Sequence, residues 1–525
     1  MADLLLSGAL IVDGSGSAPF SGSVAVTGDR IERVLRDGEE LPAAGRTIEA
    51  GGRVLAPGFI DTHSHSDVQP FIEPTMDSAL RQGITTVVAG NCGGSGAPGN
   101  GRREGAELSG VSVETLPEWS SFAEYLDLAQ EARPAINLAS LVGHGTIRGN
   151  VLATQRRPPD DGEISTMRRQ LEEALEAGAV GLSTGLVYAP GMYATTDEVV
   201  ELARPLADAN AIYASHIRAE GELLWSAVDE AIEIGRRAGV PVHISHLKLE
   251  TEFVWGRTED LLGELSDARA RGDDVSADQY PYAAYETGLS SFLPPWAPAA
   301  ELDRLLAEPS ERERLRRSVL EGEPGWQSSV RGVGWERITA VGNSVRGPIG
   351  RSVAELADEE GKDPFDTAMA LILDDAETII IGHAMQESDV ETILADPEIM
   401  VGTDGLAVSP SGPLGRFGVH PRYYGTFPRI LGRYVRERRV LDLSTAVRKM
   451  TSIAAERFGL VGRGRIEPGG FADLVLFDED RISDDATFGE PHRFPVGVDV
   501  VMVNGGLAWA DGRLGVRGGR ILRRS

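Results

Sequence analysis

The stretch that decides the fold is Gly58-Phe59-Ile60-Asp61-Thr62-His63-Ser64-His65, a short apolar run that ends in two histidines one residue apart. If this run is a β-strand, the alternation of its side chains sends His63 and His65 to the same face. Two imidazoles at that spacing can occupy two positions on one metal ion, and imidazole suits zinc, copper, iron or nickel. A His-x-His pair alone is a weak motif that more often marks the polar start of a loop. The other candidate ligands along the chain decide between the two interpretations.

Composition excludes several classes of protein. The chain has 525 residues, which is ample for more than one domain, and its 41% hydrophobic and 25% charged residues are typical of globular proteins. Its formal net charge of −29 argues against nucleic acid or an anionic membrane surface as a partner, because either would require a basic patch.

The sequence contains no evident targeting signal. Residues 1–16, MADLLLSGALIVDGSG, lack the basic start of a signal peptide, and no apolar run approaches the length of a membrane span. Cys92 is the single cysteine, so an intramolecular disulfide is impossible. These features are compatible with a reducing compartment, and we expect a cytoplasmic protein.

The two ends of the chain share a β-rich texture. Residues 3–55 contain short apolar runs separated by Gly, Asp and Ser, and similar runs return after about residue 465, at 472–477 and 498–503. Such short runs between turn residues are typical of antiparallel strands. We therefore predict one small β-sandwich domain built from residues 1–55 and 465–525.

The middle of the chain, 56–464, alternates strand-like runs with helical periodicity. Eight such runs lie at 58–63, 84–92, 136–144, 179–184, 212–217, 241–246, 274–280 and 399–404. This alternation predicts a parallel sheet, and eight units favour a (β/α)₈ barrel of the TIM type, with an open doubly wound sheet as the alternative. Two further runs, 337–341 and 378–383, exceed the count. We place them beside the barrel or in an insertion at about 286–345.

Polar residues follow nearly every one of these runs. In a barrel the carboxyl ends of the strands converge on one face, where function resides. Taken singly, each residue has an ordinary structural explanation, such as a packed core histidine or a turn aspartate. Taken together they are all metal-ligand types at strand ends, which indicates a metal centre. The candidates are His63, His65, Cys92, His144, His216, His246 and Asp404.

Several segments resemble the amidohydrolase superfamily and, more narrowly, its N-acyl-D-amino-acid deacylases, or D-aminoacylases. They are GFIDTHSH (58–65), GNCGGS (90–95), SHIRAEG (215–221), PVHISHLK (241–248), DQYPY (278–282), GTDG (402–405) and HPRYYGTFPR (420–429). Many members of this superfamily bridge two metals with a carboxylated lysine from the fourth strand. The run 179–184 contains no lysine, which fits the deacylase variant in which the cysteine is a metal ligand.

The resemblance implies a ligand set and a mechanism. Cys92, His216 and His246 would hold one zinc ion tightly, with the fourth position open to water. His63, His65 and Asp404 would form a second, weaker metal site. Asp404 would also act as a general base and then as a general acid, for which we expect a partly desolvated environment.

The same resemblance implies residues that bind the substrate. Lys248 and Arg422 match the family's binders of the substrate carboxylate, and Arg suits a planar, bidentate partner. Tyr188 and one tyrosine of the YPY run match its hydroxyl donors, and we favour Tyr280 over Tyr282. His144 is a candidate for hydrogen bonding a ligand or the substrate. His243 lies an odd number of residues from His246, so it should face away from the site.

We therefore expect a zinc-dependent hydrolase that cleaves small N-acyl-D-amino acids. Residues 283–300 contain no Lys or Arg but include Tyr285, Phe292 and Trp296, which favours neutral or apolar side chains in the substrate. A hydrolase of cyclic amides, such as a hydantoinase or dihydroorotase, and a non-catalytic scaffold are the alternatives. The sequence leaves the oligomeric state open.

Overall fold

Both ends of the chain contribute to one β-sheet. The computed structural model of the protein describes residues 1–524. The strand Val54–Pro57 pairs antiparallel with Leu474–Phe477, so that Ala56 lies opposite Val475 and the two ends of the chain share one sheet. The strands of this sheet are Ala2–Ile11, Phe20–Thr27, Arg30–Arg36, Ala44–Glu49, Val54–Pro57, Leu474–Phe477, Val498–Val503, Gly506–Ala510 and Arg513–Leu514.

A parallel barrel forms the centre of the molecule. Its strands, in chain order, are Phe59–Asp61, Ile84–Ala89, Asn137–Ser140 continued by Val142–Gly143, Gly181–Gly185, Ile212–His216, Val242–Ile244, Val275–Gln279 and Ile399–Val401. Neighbours pair in parallel, and Thr62 N–H donates to Val401 O across 3.3 Å, which joins the last strand to the first. Because the sheet closes on itself, the predicted (β/α)₈ class is confirmed and the alternative of an open doubly wound sheet is wrong.

Helices surround the barrel and bury one face each. The helix Asp161–Ala177 illustrates the local signals: Asp160 caps its first turn in a reciprocal pair with Glu163, and Gly178 ends it at φ 108°. The main helices packed on or beside the barrel are Phe122–Glu131, His144–Leu152, Asp161–Ala177, Thr196–Ala203, Leu224–Ala238, Thr258–Arg271, Glu387–Ala395, Arg422–Arg429, Leu443–Lys449 and Ser452–Arg457. In residues 1–524, no helix combines the length and the apolar character that crossing a membrane requires.

An inserted unit separates the last two barrel strands. Its sheet consists of Tyr285–Gly288, Ile338–Asn343, Gly347–Ser352 and Ile379–Gly382, and its helices are Leu302–Ala307, Pro309–Glu321, Val353–Glu360 and Pro364–Asp374. Ile338 pairs with Gly382, so the two surplus runs of the sequence belong to this sheet. Their shared apolar core reaches Met385, so the unit extends further than the expected limit at about residue 345.

The last strand, Ile521–Leu522, lies in the barrel wall. The prediction that all of 465–525 belongs to the terminal β domain is therefore wrong for this strand. It runs parallel to the third barrel strand, and Leu138 N–H donates to Arg520 O across 3.0 Å. On its other side Arg524 N–H donates to Gly178 O, immediately before the fourth strand, also across 3.0 Å. The end of the chain therefore fills a gap between two barrel strands at their amino ends.

Removing this strand should destabilise the barrel. Deletion of residues 520–525 removes the buried side chain of Ile521 and at least four hydrogen bonds to the barrel, which together amount to roughly 5 kcal/mol. Urea unfolding followed by circular dichroism measures the loss. The control Arg523→Ala removes only the ion pair with Asp127 at the surface and should change stability by less than about 1 kcal/mol. Equal stability of the deletion variant and the wild type would show that the strand contributes nothing.

Candidate metal centre and active site

The predicted ligands all lie at the carboxyl ends of barrel strands. His63 and His65 follow the first strand, Cys92 follows the second, and His216 is the last residue of the fifth. His246 and Asp404 follow the sixth and eighth strands. The barrel geometry therefore brings residues from widely separated parts of the sequence to one rim.

The sulfur of Cys92 lies at the centre of this group. Its Sγ is 3.2 Å from His63 Nε2, 3.5 Å from His216 Nδ1 and 3.4 Å from His246 Nε2. Asp404 joins from the other side, with Oδ1 3.0 Å from His65 Nε2 and 3.5 Å from His63 Nε2. Thiolate, imidazole and carboxylate donors within such a volume can hold zinc.

These donors form two overlapping groups. One contains His63, His65, Cys92 and Asp404, and the other contains Cys92, His216 and His246; within each group the donor atoms lie within 4.8 Å of one another. The sequence analysis predicts Cys92 as a ligand only together with His216 and His246. The structure places its sulfur within reach of both, so one thiolate can face two adjacent metal positions.

The backbone at the site is strained. Cys92, His246 and Asp404 have φ angles of 53°, 36° and 49°, in the left-handed region that side chains other than glycine rarely adopt. Each such residue costs on the order of 1–3 kcal/mol and persists only where its surroundings fix it. Strain at three candidate ligands fits a donor set that the fold holds in place for a metal ion.

Burial places the imidazoles in the protonation state that a metal requires. It lowers the pKa of His63 well below its ordinary value and that of His216 to about 3, so both rings are neutral at pH 7. Burial also raises the pKa of the Cys92 thiol well above its ordinary value. A divalent cation among these donors reverses that effect, because its charge favours the thiolate.

Glu220, which the sequence analysis missed, lies behind two of the histidines. Its Oε1 accepts from Lys248 Nζ at 2.6 Å and is 3.1 Å from His246 Nδ1, and its Oε2 is 3.8 Å from His216 Nε2. Burial opposes ionisation of this carboxyl, but Lys248, His216 and His246 together outweigh burial, so the pKa lies well below its ordinary value. Glu220 lies in the motif SHIRAEG, four positions after the candidate ligand His216. This spacing was the one feature of the sequence that could have indicated its role.

Asp278 was also missed and supports the opposite side of the rim. It is fully buried; its Oδ2 accepts from Thr62 Oγ1 at 2.7 Å and bonds His243 Nε2 at 2.9 Å. Its Oδ1 accepts the backbone N–H of His246 at 2.5 Å. His243 thus faces away from the ligands and anchors the carboxylate that holds His246 in place.

Arg422 lies directly beside the metal ligands. Its Nη1 is 3.0 Å from Asp404 Oδ2, and its guanidinium lies 4.7 Å from the centre of the Tyr280 ring. Among the described residues Arg422 Nε and the Tyr280 hydroxyl have no hydrogen-bond partner, although both side chains are buried. Buried donors without a partner are costly, so this corner fits an incoming acceptor.

The remaining substrate candidates surround the same corner. Lys248 Nζ is 5.6 Å from the centre of the Tyr280 ring, and the Tyr188 ring packs edge-on against His216 at 4.8 Å. The Tyr188 hydroxyl accepts from Thr287 Oγ1 of the inserted unit at 3.3 Å. The Tyr282 hydroxyl lies 3.5 Å from Pro421 O, and Tyr282 packs against Arg429 instead. The geometry favours Tyr280 as the tyrosine that faces the site.

His144 does not join the group. Within residues 1–524 its Nε2 bonds Glu198 Oε1 at 3.1 Å, and none of its hydrogen bonds reaches a candidate ligand. Arg148 Nε donates to the same carboxylate oxygen at 2.9 Å, so His144 belongs to a buried cluster behind the third strand. His383 packs against Phe488 and also lies apart.

The fold and site define a class of protein, and comparisons with known proteins agree with it. A model of the Amidohydrolase family matches residues 46–275 and 331–508. A D-aminoacylase of Alcaligenes xylosoxydans xylosoxydans is 38% identical over 525 residues, covering 100% of this chain and 98% of the relative. An N-acyl-D-glutamate deacylase of the same organism is also 38% identical, covering 99% of this chain and 96% of the relative.

Solved structures give the same result. The crystal structure of a D-aminoacylase superposes with a TM-score of 0.84 at 36% identity, covering 100% of both chains. An N-acyl-D-glutamate deacylase from Bordetella bronchiseptica, complexed with zinc and a phosphonate that mimics the tetrahedral intermediate, gives a TM-score of 0.82 at 34% identity over 99% of both chains. This protein belongs to the amidohydrolase family and, within it, to the group of D-aminoacylases and N-acyl-D-amino-acid deacylases, which confirms the predicted resemblance.

The central position of Cys92 predicts the effect of removing it. Cys92→Ala takes one donor from both groups, so the zinc retained after exhaustive dialysis should fall at least tenfold. Elemental analysis of the dialysed proteins measures this. The control His383→Gln changes a histidine of the inserted unit that lies outside the donor set and should leave zinc content unchanged. Retention of wild-type zinc by Cys92→Ala would exclude the sulfur as a ligand.

Proposed function

We propose that this protein is a zinc-dependent hydrolase of N-acyl-D-amino acids. The observation that carries the proposal is the convergence of a sulfur, four imidazoles and a carboxylate beside a buried arginine with an unpartnered Nε. Metal ligands and a carboxylate-binding cation in contact are what cleavage of an amide next to a free carboxylate requires. The relatives named D-aminoacylase and N-acyl-D-glutamate deacylase support this substrate class.

Two sets of residues would hold the metal. Cys92, His216 and His246 are proposed to bind one zinc ion tightly, and His63, His65 and Asp404 to form a weaker second position beside the same sulfur. When bound, zinc lowers the pKa of water to about 7 and polarises a carbonyl group.

Asp404 is the proposed general base and acid. Its Oδ1 faces His63 and His65 and its Oδ2 faces Arg422, so the carboxylate lies between the metal position and the substrate corner. Burial is the largest influence and raises its pKa, but the charge of Arg422 and the contacts with His246, His65 and His63 together outweigh burial and hold the pKa well below its ordinary value. The carboxylate is therefore ionised at pH 7, which is the form that can accept a proton from the attacking water, and it would then pass that proton to the departing amine nitrogen.

Arg422 and Lys248 are proposed to bind the substrate carboxylate. The free Nε of Arg422 and the Tyr280 hydroxyl supply two donors at the corner beside Asp404. Lys248 adds a second cation across the Tyr280 ring, and Tyr188 closes the side next to His216. Fixing the carboxylate at this corner would bring the amide next to Asp404 and the metal position.

Neutral or apolar side chains are the proposed preference. A second carboxylate on the substrate would need a cation that is not already paired with an acidic residue. In the inserted unit, Arg312 pairs with Asp366 and Arg316 pairs with Asp363. Two carboxyls, the buried Glu250 and the half-buried Glu286, lie on the side of the inserted unit instead. Burial raises the pKa of Glu250 to about 7 and that of Glu286 above its ordinary value, so an acidic side chain would meet carboxyl groups there and no cation.

A hydrolase of cyclic amides is the second candidate. An L-hydantoinase from Arthrobacter aurescens superposes with a TM-score of 0.57 at 16% identity, which establishes only that the fold is shared. Ser183 of the fourth strand bonds Gly90 O and Gly93 N–H of the loop that carries Cys92, and this strand provides no lysine. The fourth strand therefore supports the loop of the candidate ligand Cys92 and offers no lysine as a metal ligand.

A panel of chiral substrates tests the proposal. With zinc bound, the protein should hydrolyse N-acetyl-D-Leu and N-acetyl-D-Phe, and N-acetyl-D-Glu at least tenfold more slowly, with no turnover of the L-enantiomers. Released amine is measured by derivatisation and chiral chromatography. Dominant turnover of N-acetyl-D-Glu would refute the side-chain preference, and opening of hydantoin without release of a D-amino acid would favour the cyclic-amide alternative.

Replacing the proposed carboxylate binder should weaken substrate binding. Arg422→Lys loses the planar fork and the Nε donor, so KM should rise by on the order of tenfold or more. Steady-state kinetics measures KM and kcat separately. The control Arg429→Lys, on the same helix, faces Tyr282 and Asp484 and should leave KM within twofold of wild type. An unchanged KM for Arg422→Lys would exclude it from the carboxylate site.

A further inference from the structure

Glu220 stands between the metal ligands and the carboxylate binder. It lies in the loop after the fifth barrel strand, and its side chain is 12% exposed. One oxygen contacts both Lys248 Nζ and His246 Nδ1, at 2.6 Å and 3.1 Å, and the other faces His216 Nε2 at 3.8 Å. None of the roles proposed above uses this carboxylate.

The geometry of the two imidazoles explains what the carboxylate does. His246 directs Nε2 towards Cys92, and His216 directs Nδ1 towards it, at 3.4 Å and 3.5 Å. An imidazole that ligates through one nitrogen carries its proton on the other, and that N–H needs an acceptor. In both rings the nitrogen away from the sulfur faces Glu220. Glu220 therefore lies within hydrogen-bond distance of the outer nitrogen of His246, and its second oxygen faces His216 Nε2 across 3.8 Å, where its charge favours a proton on that nitrogen.

The same carboxylate fixes Lys248. The ammonium of Lys248 lies 2.8 Å from His246 Nδ1 as well as 2.6 Å from Glu220 Oε1. A lysine ammonium has no acceptor, so it cannot bond a nitrogen that already carries a proton. When His246 Nδ1 is protonated, Lys248 must leave that nitrogen, and Glu220 is the group that keeps it at the rim.

The loop that carries Glu220 is held from two sides. Glu250 N–H donates to Glu220 O across 2.8 Å, and Gly221 N–H donates to Gln327 Oε1 of the inserted unit across 3.1 Å. Both bonds fix the backbone on either side of the carboxylate. The side chain is therefore positioned by the barrel and by the insertion together.

We propose that Glu220 is a positioning residue that couples zinc binding to binding of the substrate carboxylate. It orients His216 and His246 towards the metal and places Lys248 at the substrate corner. This inference rests on the proposed function. The inference adds that removal of the Glu220 carboxylate impairs two properties that can be measured separately, the affinity for zinc and the KM for the substrate.

Three variants test the coupling. Glu220→Ala removes both acceptor oxygens, and zinc affinity measured by competition with a chromogenic chelator should fall 10- to 100-fold. Glu220→Gln keeps one acceptor oxygen and should lose less. With zinc at saturation, KM for N-acetyl-D-Leu should rise at least fivefold in Glu220→Ala. The control Glu222→Gln, in the same loop but paired with Arg331 at the surface, should match the wild type in both measurements.

The outcomes separate this inference from the proposed function. If the wild type binds zinc and releases D-amino acid but Glu220→Ala keeps zinc affinity and KM within twofold, the inference is overturned alone. A loss of zinc affinity with an unchanged KM would overturn the coupling to Lys248. If the wild type neither binds zinc nor cleaves the substrates, the proposed function fails first. Should Glu220→Ala lose its native circular dichroism, Glu220→Gln decides, and wild-type zinc affinity and KM in that variant would overturn the inference.

Discussion

The requirement that one sulfur contact three imidazole rings constrains the whole rim of this barrel. Cys92 reaches that position because its backbone turns into the left-handed region and because Gly185 lies directly beneath it. A Cβ atom on Gly185 would lie 2.1 Å from Cys92 O, so the fourth strand can touch the cysteine loop only through a glycine. Ser183 then bonds the same loop through Gly90 O and Gly93 N–H. The fourth strand is thus joined to the cysteine loop by the close contact of Gly185 and by the two hydrogen bonds of Ser183.

A second layer of carboxylates makes this arrangement stable. The imidazoles of the rim face the centre, whereas Glu220 lies behind them beside His246 Nδ1 and Asp278 accepts the backbone N–H of His246. Carboxylates buried in this way are costly unless cations or several donors compensate them. Lys248 compensates Glu220, His243 and Thr62 compensate Asp278, and a divalent cation at the centre would add to this compensation. The charges of Glu220 and Asp278 and the candidate metal ligands therefore stabilise one another.

The sequence predicted the barrel and the ligand positions because both follow from local patterns. Strand ends are visible as apolar runs, and His63, Cys92 and Asp404 stand out at those ends as unusual residue types. Glu220 and Asp278 could not be distinguished in the same way, because acidic residues are common in loops and their roles depend on contacts between distant strands. His144 shows the opposite error: it lies at a strand end, but the chain turns it towards Glu198.

The extent of the insertion was misjudged for a related reason. The runs at 338–343 and 379–382 have the composition of barrel strands, and only their antiparallel pairing assigns them to a separate sheet. Likewise, nothing in the short run at 521–522 indicates that it joins the barrel wall instead of the terminal sheet. Pairing partners are determined by tertiary packing, which single-strand patterns do not record.

The inserted unit contacts each loop that carries a substrate or positioning residue. Thr287 bonds Tyr188, Gln327 bonds the loop of Glu220, and Glu286 accepts the backbone N–H of His420, two residues before Arg422. A change in the insertion can therefore shift the carboxylate corner without touching the metal ligands. Relatives named N-acyl-D-glutamate deacylase and N-acyl-D-aspartate deacylase are similar to the chain to almost the same degree, at 38% and 37% identity. The candidate metal ligands thus lie on the barrel rim, and the smaller unit contacts the loops that carry the proposed substrate-binding residues.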